Sequence, residues 1–143
     1  MSWIYNGAEF GSEHAQAAID SGYIGFVYEI TDSSNGKKYI GKKLLTSKKK
    51  LPPLKGKTRK RVKITQSDWE KYYGSSETVK TLVETRKPDF SRKILYLCKT
   101  KGELSYMEAK EQFDREVLLS DDFYNEFIGV KIHSAHVKNL WKK

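Results

Sequence analysis

Gly25-Phe26-Val27-Tyr28-Glu29-Ile30-Thr31, then Asp32-Ser33-Ser34-Asn35-Gly36, then Lys37-Lys38-Tyr39-Ile40-Gly41-Lys42-Lys43 read together as one β-hairpin. Phe26, Val27, Tyr28 and Ile30 are β-formers, and so are Tyr39 and Ile40. Asn35-Gly36 is a strong turn signal because both residue types tolerate positive φ. Lys37 and Lys38 keep the second strand soluble. The hairpin carries one tyrosine on each strand. On residue types alone it is a hairpin with two packing tyrosines, and only the rest of the chain adds chemistry to them.

Working outward, residues 1–22 hold Trp3, Tyr5 and Phe10 and a short helix expected from 12 to 19, capped by Ser12. Strands are expected at 23–31 and 37–44. Ser67-Asp68-Trp69-Glu70 fits a capping box that starts a short helix or turn. A helix follows over 76–85, with Val79, Leu82 and Val83 on one face. Phe90 to Lys99 is apolar on both faces and reads as a central strand. A long helix is expected over 103–119, with Tyr106, Ala109, Phe113 and Val117 as its core stripe. There is no internal repeat. The β-β-α-β-α order predicts a small α/β sandwich, a three-stranded sheet flanked by helices. All 143 residues are expected to form a single domain, with a core at about 23–128.

Charge is concentrated in one place. The chain has 27 Lys and Arg against 18 Asp and Glu, a formal net charge of +9. Residues 42–63 hold 11 of the basic residues and no acidic one, so the remainder is 16 against 18. Pro52-Pro53 and Gly56 within this basic insert predict an extended or partly mobile loop. A run this dense repels itself unless it meets an anion, and a phosphate backbone is the natural partner. No amphipathic apolar face accompanies it, which disfavours a membrane surface. No apolar run is long enough to span a bilayer, and the N-terminus has no signal-peptide pattern. The one cysteine, Cys98, lies in an apolar run and is expected to be a buried thiol. These features point to a reducing, cytoplasmic setting. His14, His133 and His136 form no ligand set, and no zinc site, Gly-rich phosphate loop or nucleophilic triad is evident.

The hairpin and the segments after it resemble the GIY-YIG nuclease family over about residues 23–128. Phe26-Val27-Tyr28 stands where Gly-Ile-Tyr would, with Gly25 one place early, and Tyr39-Ile40-Gly41 matches the second motif letter for letter. Tyr72-Tyr73-Gly74-Ser75-Ser76, a helix, and Phe90-Ser91-Arg92-Lys93-Ile94-Leu95 are similar to the family's following helix and third strand. The basic insert and Asp68-Trp69 before Tyr73-Gly74-Ser75-Ser76 look like small phage-type members. The resemblance implies a metal-dependent endonuclease that hydrolyses DNA phosphodiester bonds with Mg²⁺ or another divalent cation.

It also implies a site. Tyr28 and Tyr39 would align or deprotonate water, and the sequence does not settle which. A tyrosine base needs its pKa lowered from about 10. Lys38 and Lys42-Lys43 flank Tyr39, so the local field is expected to act in that direction. Glu108, on the helix after the third strand, is the expected metal ligand, with Glu111 as fallback. Two plainer roles compete: a capping box from Ser105 to Glu108, and a surface pair between Glu111 and Arg115. Asn125 matches the family's closing asparagine and would orient a phosphate oxygen or fix the glutamate. For the family's arginine, Arg61 is the candidate and Arg92 the reserve. Lys42, Lys43, Lys48, Lys49, Lys50, Lys55, Lys57, Arg59, Lys60 and Lys63 are expected to bind DNA. The rival expectation is a nucleic-acid-binding protein that kept the fold and lost catalysis. The sequence leaves open the target site, the biological role, and whether one chain nicks or a homodimer cuts both strands.

Overall fold

A computed structural model describes residues 2–129. His133 and His136 lie outside the described residues. The expected hairpin forms as β3 (Gly25–Asp32) and β4 (Lys38–Leu44), antiparallel, with Tyr28 opposite Gly41 and Ile30 opposite Tyr39. Its turn is longer than a two-residue loop. Only Gly36 uses positive φ, and Asp32 organises the turn by accepting from the Ser34 N–H.

The sheet has more strands than the three expected. Five strands run in the order β2-β1-β7-β3-β4, where β1 is Trp3–Tyr5, β2 is Ala8–Phe10 and β7 is Phe90–Cys98. The N-terminal segment is therefore part of the sheet. Asn6 and Gly7 both adopt positive φ and close a tight β1–β2 hairpin, while β1 pairs in parallel with β7. Trp3 anchors it. The indole is 1% exposed, packs edge-on against Phe26 and Tyr28, and donates to the Trp69 carbonyl.

Helices cover both faces. On one lie α1 (Ser12–Asp20) and α2 (Glu77–Arg86), packed on Phe26, Tyr28, Ile30, Phe90 and Ile94. On the other lies α3 (Lys101–Asp114), over Val27, Ile40 and Cys98. Cys98 is buried as expected, and burial pushes its thiol up to about 12. The cap of α1 is Gly11 rather than Ser12, with His14 Nδ1 accepting from the Gly11 N–H. Asp68 caps nothing with its side chain. It pairs with Lys43 at 2.6 Å, and Trp69–Lys71 form a 3-10 turn. Ser76 and Thr100 do cap α2 and α3.

Two expectations fail for α3, one of them in part. It ends at Asp114, and Glu116 adopts positive φ just beyond. Its expected apolar stripe faces the core only in part: Ala109 and Val117 are buried, but Phe113 is 64% exposed. The buried side of the helix runs through Leu104, Ala109, Glu111 and Gln112. Polar side chains can face this sheet because the sheet offers partners. Glu29 on β3 pairs with Arg115, Arg115 pairs with Glu111, and the Tyr96 hydroxyl donates to Glu111. Burial opposes Glu29's charge, but the hydrogen bond and charge of Arg115, with Lys38, hold its carboxyl below the usual range.

The basic insert is not a loose loop. It forms a second, two-stranded sheet, with β5 (Thr46–Leu51) paired antiparallel to β6 (Arg61–Gln66). Alternation was hidden there because lysine occupies positions 48, 49 and 50 in succession.

If β1 is integral to the sheet, Trp3→Ala should lower the free energy of unfolding by about 3–5 kcal/mol, the usual cost of a large aromatic-to-alanine change in a core. Urea denaturation measures this. A loss below about 1 kcal/mol would make the N-terminal hairpin peripheral.

Candidate active site

Strand β4 is the edge of the five-stranded sheet, and the site is built over that edge. Tyr28, on β3, lays its ring across β4 at Gly41. A Cβ at Gly41 would stand 2.3 Å from the Tyr28 hydroxyl oxygen, so only glycine admits the ring. The β3–β7 ladder also shifts register between Val27 and Tyr28, an irregularity of the kind that re-aims a side chain. Tyr28 is fully buried behind the site, and its hydroxyl has Tyr72 as a hydrogen-bonding neighbour but no bond of ordinary geometry among the described residues.

Tyr39 lies beside it, ring centroids 6.2 Å apart, and its hydroxyl shares a hydrogen bond of 3.0 Å with Ser75. Gly74, at φ 93, brings that segment against the Tyr39 ring, where an added Cβ would sit 3.4 Å away.

The field at the tyrosines runs opposite to expectation. Burial raises the pKa of Tyr28 well above the ordinary tyrosine value, and Tyr72, Tyr39 and Glu108 add to it. Burial also raises Tyr39, only partly offset by Ser75. Burial outweighs the flanking lysines, which are engaged with other partners. Lys38 reaches Glu29, Lys42 reaches Ser105 at 2.8 Å, and Lys43 lies over the Tyr72 ring beside Asp68.

Glu108 projects from α3 into a cavity of about 350 Å³ that Tyr39, Lys42, Ser75 and Asn125 also line. Burial raises its carboxyl above the usual range, while the charge and backbone N–H of Lys42 oppose the shift. Glu111, one turn further on, is committed to Arg115 and Tyr96 and does not line this cavity. The Glu111–Arg115 pair exists, but as part of the buried network.

Asn125 is at the cavity and fixes the edge strand. Its Oδ1 accepts from the Ile40 N–H at 3.0 Å and its Nδ2 donates to the Ile40 carbonyl at 2.8 Å. Gln112 donates to the same carbonyl at 3.0 Å. One Nδ2 proton and one Oδ1 lone pair remain beyond these two bonds.

The arginines lie elsewhere. Arg61 is on β6 near the far end of the ribbon, donates to the Pro52 carbonyl, and does not line the cavity. Arg92 is buried, donates to the Glu70 and Tyr72 carbonyls, and stacks on Trp3 and Tyr73. Lys42 is the basic side chain that lines the cavity. Lys48, Lys49, Lys50 and Lys63 lie on the ribbon strands, and Lys55, Lys57, Arg59 and Lys60 at its exposed tip. Sequence reasoning gave no roles to Ser75 and Gln112. Gly74, placed for close approach, pointed to the first. The four-residue step from Glu108 pointed to the second.

Among the described residues no three His, Cys, Asp or Glu side chains group as metal ligands. No helix among them is long and apolar enough to cross a membrane. Searches of curated proteins and of solved structures returned no match. A family model described as "Putative endonuclease segE, GIY-YIG domain" matches residues 3–128, nearly the whole described chain and including the β1–β2 hairpin. That match covers most of the chain, and the chain belongs to the SegE-type GIY-YIG family.

Proposed function

We propose that this protein is a metal-dependent DNA endonuclease whose active site is the cavity between Tyr39 and Glu108. The observation that carries this reading is the convergence of Tyr39, Lys42 and Glu108 on one cavity, with the Tyr28 ring packed behind Tyr39. The Tyr28 hydroxyl is buried with Tyr72 as a neighbour and makes no bond of ordinary geometry to the described residues. Leaving a buried hydroxyl poorly paired costs about 1–3 kcal/mol.

Glu108 would hold the cation. Mg²⁺ commonly takes one or two carboxylates and fills its other positions with water and substrate phosphate, so Glu108 suffices as its anchor, with Glu77 and Glu126 also on the cavity wall. When bound, such an ion stabilises charge at the phosphorus and helps the leaving oxygen. The protein's own groups do the rest. Tyr28 and Tyr39 are protonated at neutral pH, since both pKa values are raised, so each acts by donating a hydrogen bond that orients water or a phosphate oxygen. Lys42 adds positive charge beside Glu108. Gln112 and Asn125 keep β4 at a fixed distance from α3. The ribbon, including Arg61, grips backbone phosphate away from the cavity.

Incubation of purified protein with plasmid DNA, with Mg²⁺ or with EDTA, tests the activity directly. Glu108→Gln should abolish Mg²⁺-dependent cleavage while leaving DNA binding intact, as a neutral amide is a poor Mg²⁺ ligand. Wild-type rates in that variant would remove Glu108 from the mechanism. Because the carboxyl titrates above the ordinary range and must be ionised to hold a cation, cleavage should fall as pH drops through that raised value. The acid limb of kcat/KM should therefore lie above pH ~4.3, the value for an unperturbed glutamate.

Tyr28→Phe should slow cleavage about 10²–10⁴-fold and yet unfold at the same or higher urea concentration, because it deletes a poorly paired hydroxyl. Tyr39→Phe should slow cleavage similarly and lose a little stability with its Ser75 bond. Normal cleavage with early melting in both variants would make the hydroxyls structural.

A further inference from the structure

The cavity does not end at Glu108. Lys42, on its wall, also lines a second groove of about 380 Å³ together with Lys101 and Ser105. Lys101 in turn lines a third, of about 630 Å³, with Lys99, Thr100, Thr46 and Lys48. Shared residues thus link the candidate active site to the root of the ribbon. Among the described residues no acidic side chain lines either outer groove. Lys99 and Lys101 belong to no basic run in the sequence and join the track only through the fold, where β7 ends and α3 begins.

The ribbon's two faces differ. Ladder partners share a face, so Lys48 with Ile64 and Lys50 with Val62 lie on the side of Thr46. Lysines form that face on β5, and β-branched apolar residues form it on β6. Val62 and Ile64 are 58% and 56% exposed. The opposite face sets Lys49 directly across from Lys63, a like-charge pair that is unfavourable without an anion. The root is held firmly. Leu45, between β4 and β5, is fully buried, and Gln66 donates to the Ser12 carbonyl and accepts from the Trp69 indole. Six residues per strand make the ribbon about 20 Å long at ~3.4 Å per residue. A two-stranded ribbon is one of the elements that the B-DNA major groove, about 12 Å wide, admits.

We propose that Lys42, Lys101, Lys99 and Lys48 form a continuous cationic track for duplex DNA, and that the ribbon lays its Val62–Ile64 face in the major groove. Lys48 and Lys50 then meet the phosphate wall, while Val62 and Ile64 meet base edges, where thymine presents its methyl group. Lys49 and Lys63 add charge from the outer face without reading bases. This inference rests on the nuclease reading and adds how its substrate lies.

Binding of the full chain to a short fluorescein-labelled duplex, followed by anisotropy in EDTA, tests the track apart from catalysis. The duplex is prepared with thymine and, separately, with uracil in its place, which removes only the major-groove methyls. Wild-type protein should bind the thymine duplex several-fold more tightly. Val62→Ser with Ile64→Ser should bind both duplexes alike, at the weaker level. Lys99→Gln with Lys101→Gln should weaken binding to both equally and flatten the salt dependence by about 0.9 for each phosphate no longer neutralised. Lys49→Gln with Lys63→Gln should weaken both duplexes equally and keep the thymine preference.

Equal wild-type affinity for the two duplexes overturns the groove assignment, and this arm needs no variant to fold. An unchanged salt slope in the Lys99/Lys101 variant overturns the track. Loss of the thymine preference in the Lys49/Lys63 variant puts the other face in the groove. Equal affinity for an RNA duplex of the same sequence also overturns it, because the A-form major groove is too narrow for a ribbon. Absence of plasmid cleavage with these binding results intact would sink the nuclease reading alone.

Discussion

The carbonyl and amide of Ile40 point outward from the last strand of the sheet, where a neighbouring strand would ordinarily pair with them. Side-chain amides take them instead, Asn125 both groups and Gln112 the carbonyl. This substitution satisfies the buried backbone without adding a sixth strand. A further strand would have covered the ground between β4 and α3. Backbone pairing meets the outer edge of β4 at Lys38, which bridges to Phe123, and at Ile40 amides take over, so the ring of Tyr28 can pass over Gly41 toward the edge. The position of Tyr39, the cavity and the approach of α3 all depend on that arrangement.

The helix that carries Glu108 is held by an ionic network as well as by the apolar contacts of Leu104 and Met107. Glu29 lies next to Tyr28 on β3, and through Arg115 it is tied to Glu111, one turn from Glu108. Removing one partner of such a network strands a buried charge, whereas an apolar seam tolerates small slippage. The network thus joins the tyrosine strand and the glutamate helix with a directional contact. A second tie, from Arg86 to the buried Asp32 and onward from Tyr124, fixes the turn of the main hairpin to α2 and to the segment preceding Asn125.

Much of this was legible in the chain. The β3–β4 hairpin, α2, β7 and the existence of α3 followed from periodicity and turn chemistry; Tyr39 and Glu108 line one cavity, with Tyr28 buried behind Tyr39. Three kinds of information were hidden. The β1–β2 hairpin has three-residue strands, too short to show alternation, although Asn6-Gly7 carried the same turn signal as Asn35-Gly36. The facing of α3 was misread in part because Tyr106 and Phe113 repeat at helical spacing, while the contact face mixes Leu104 and Ala109 with Glu111 and Gln112, whose partners come from Arg115, Tyr96 and the Ile40 carbonyl. The field at Tyr39 was misread because burial outweighs charge there, and the neighbouring lysines are engaged with Glu29, Ser105 and Asp68. Asn125 was found, but its geometry gives it the backbone of Ile40.

The antiparallel register of the ribbon limits how it can change over evolutionary time. Each face of β5 and β6 is defined by every second residue, and the root is locked by Leu45 and Gln66. Insertions or deletions of two residues in both strands would lengthen or shorten the arm and leave Lys48, Lys50, Val62 and Ile64 on the same side. A single-residue change in one strand would turn everything beyond it to the other side. The arm is therefore expected to vary among descendants of this sequence in steps of two residues per strand, with most substitution toward the tip, while the tyrosine edge from which it extends stays unaltered.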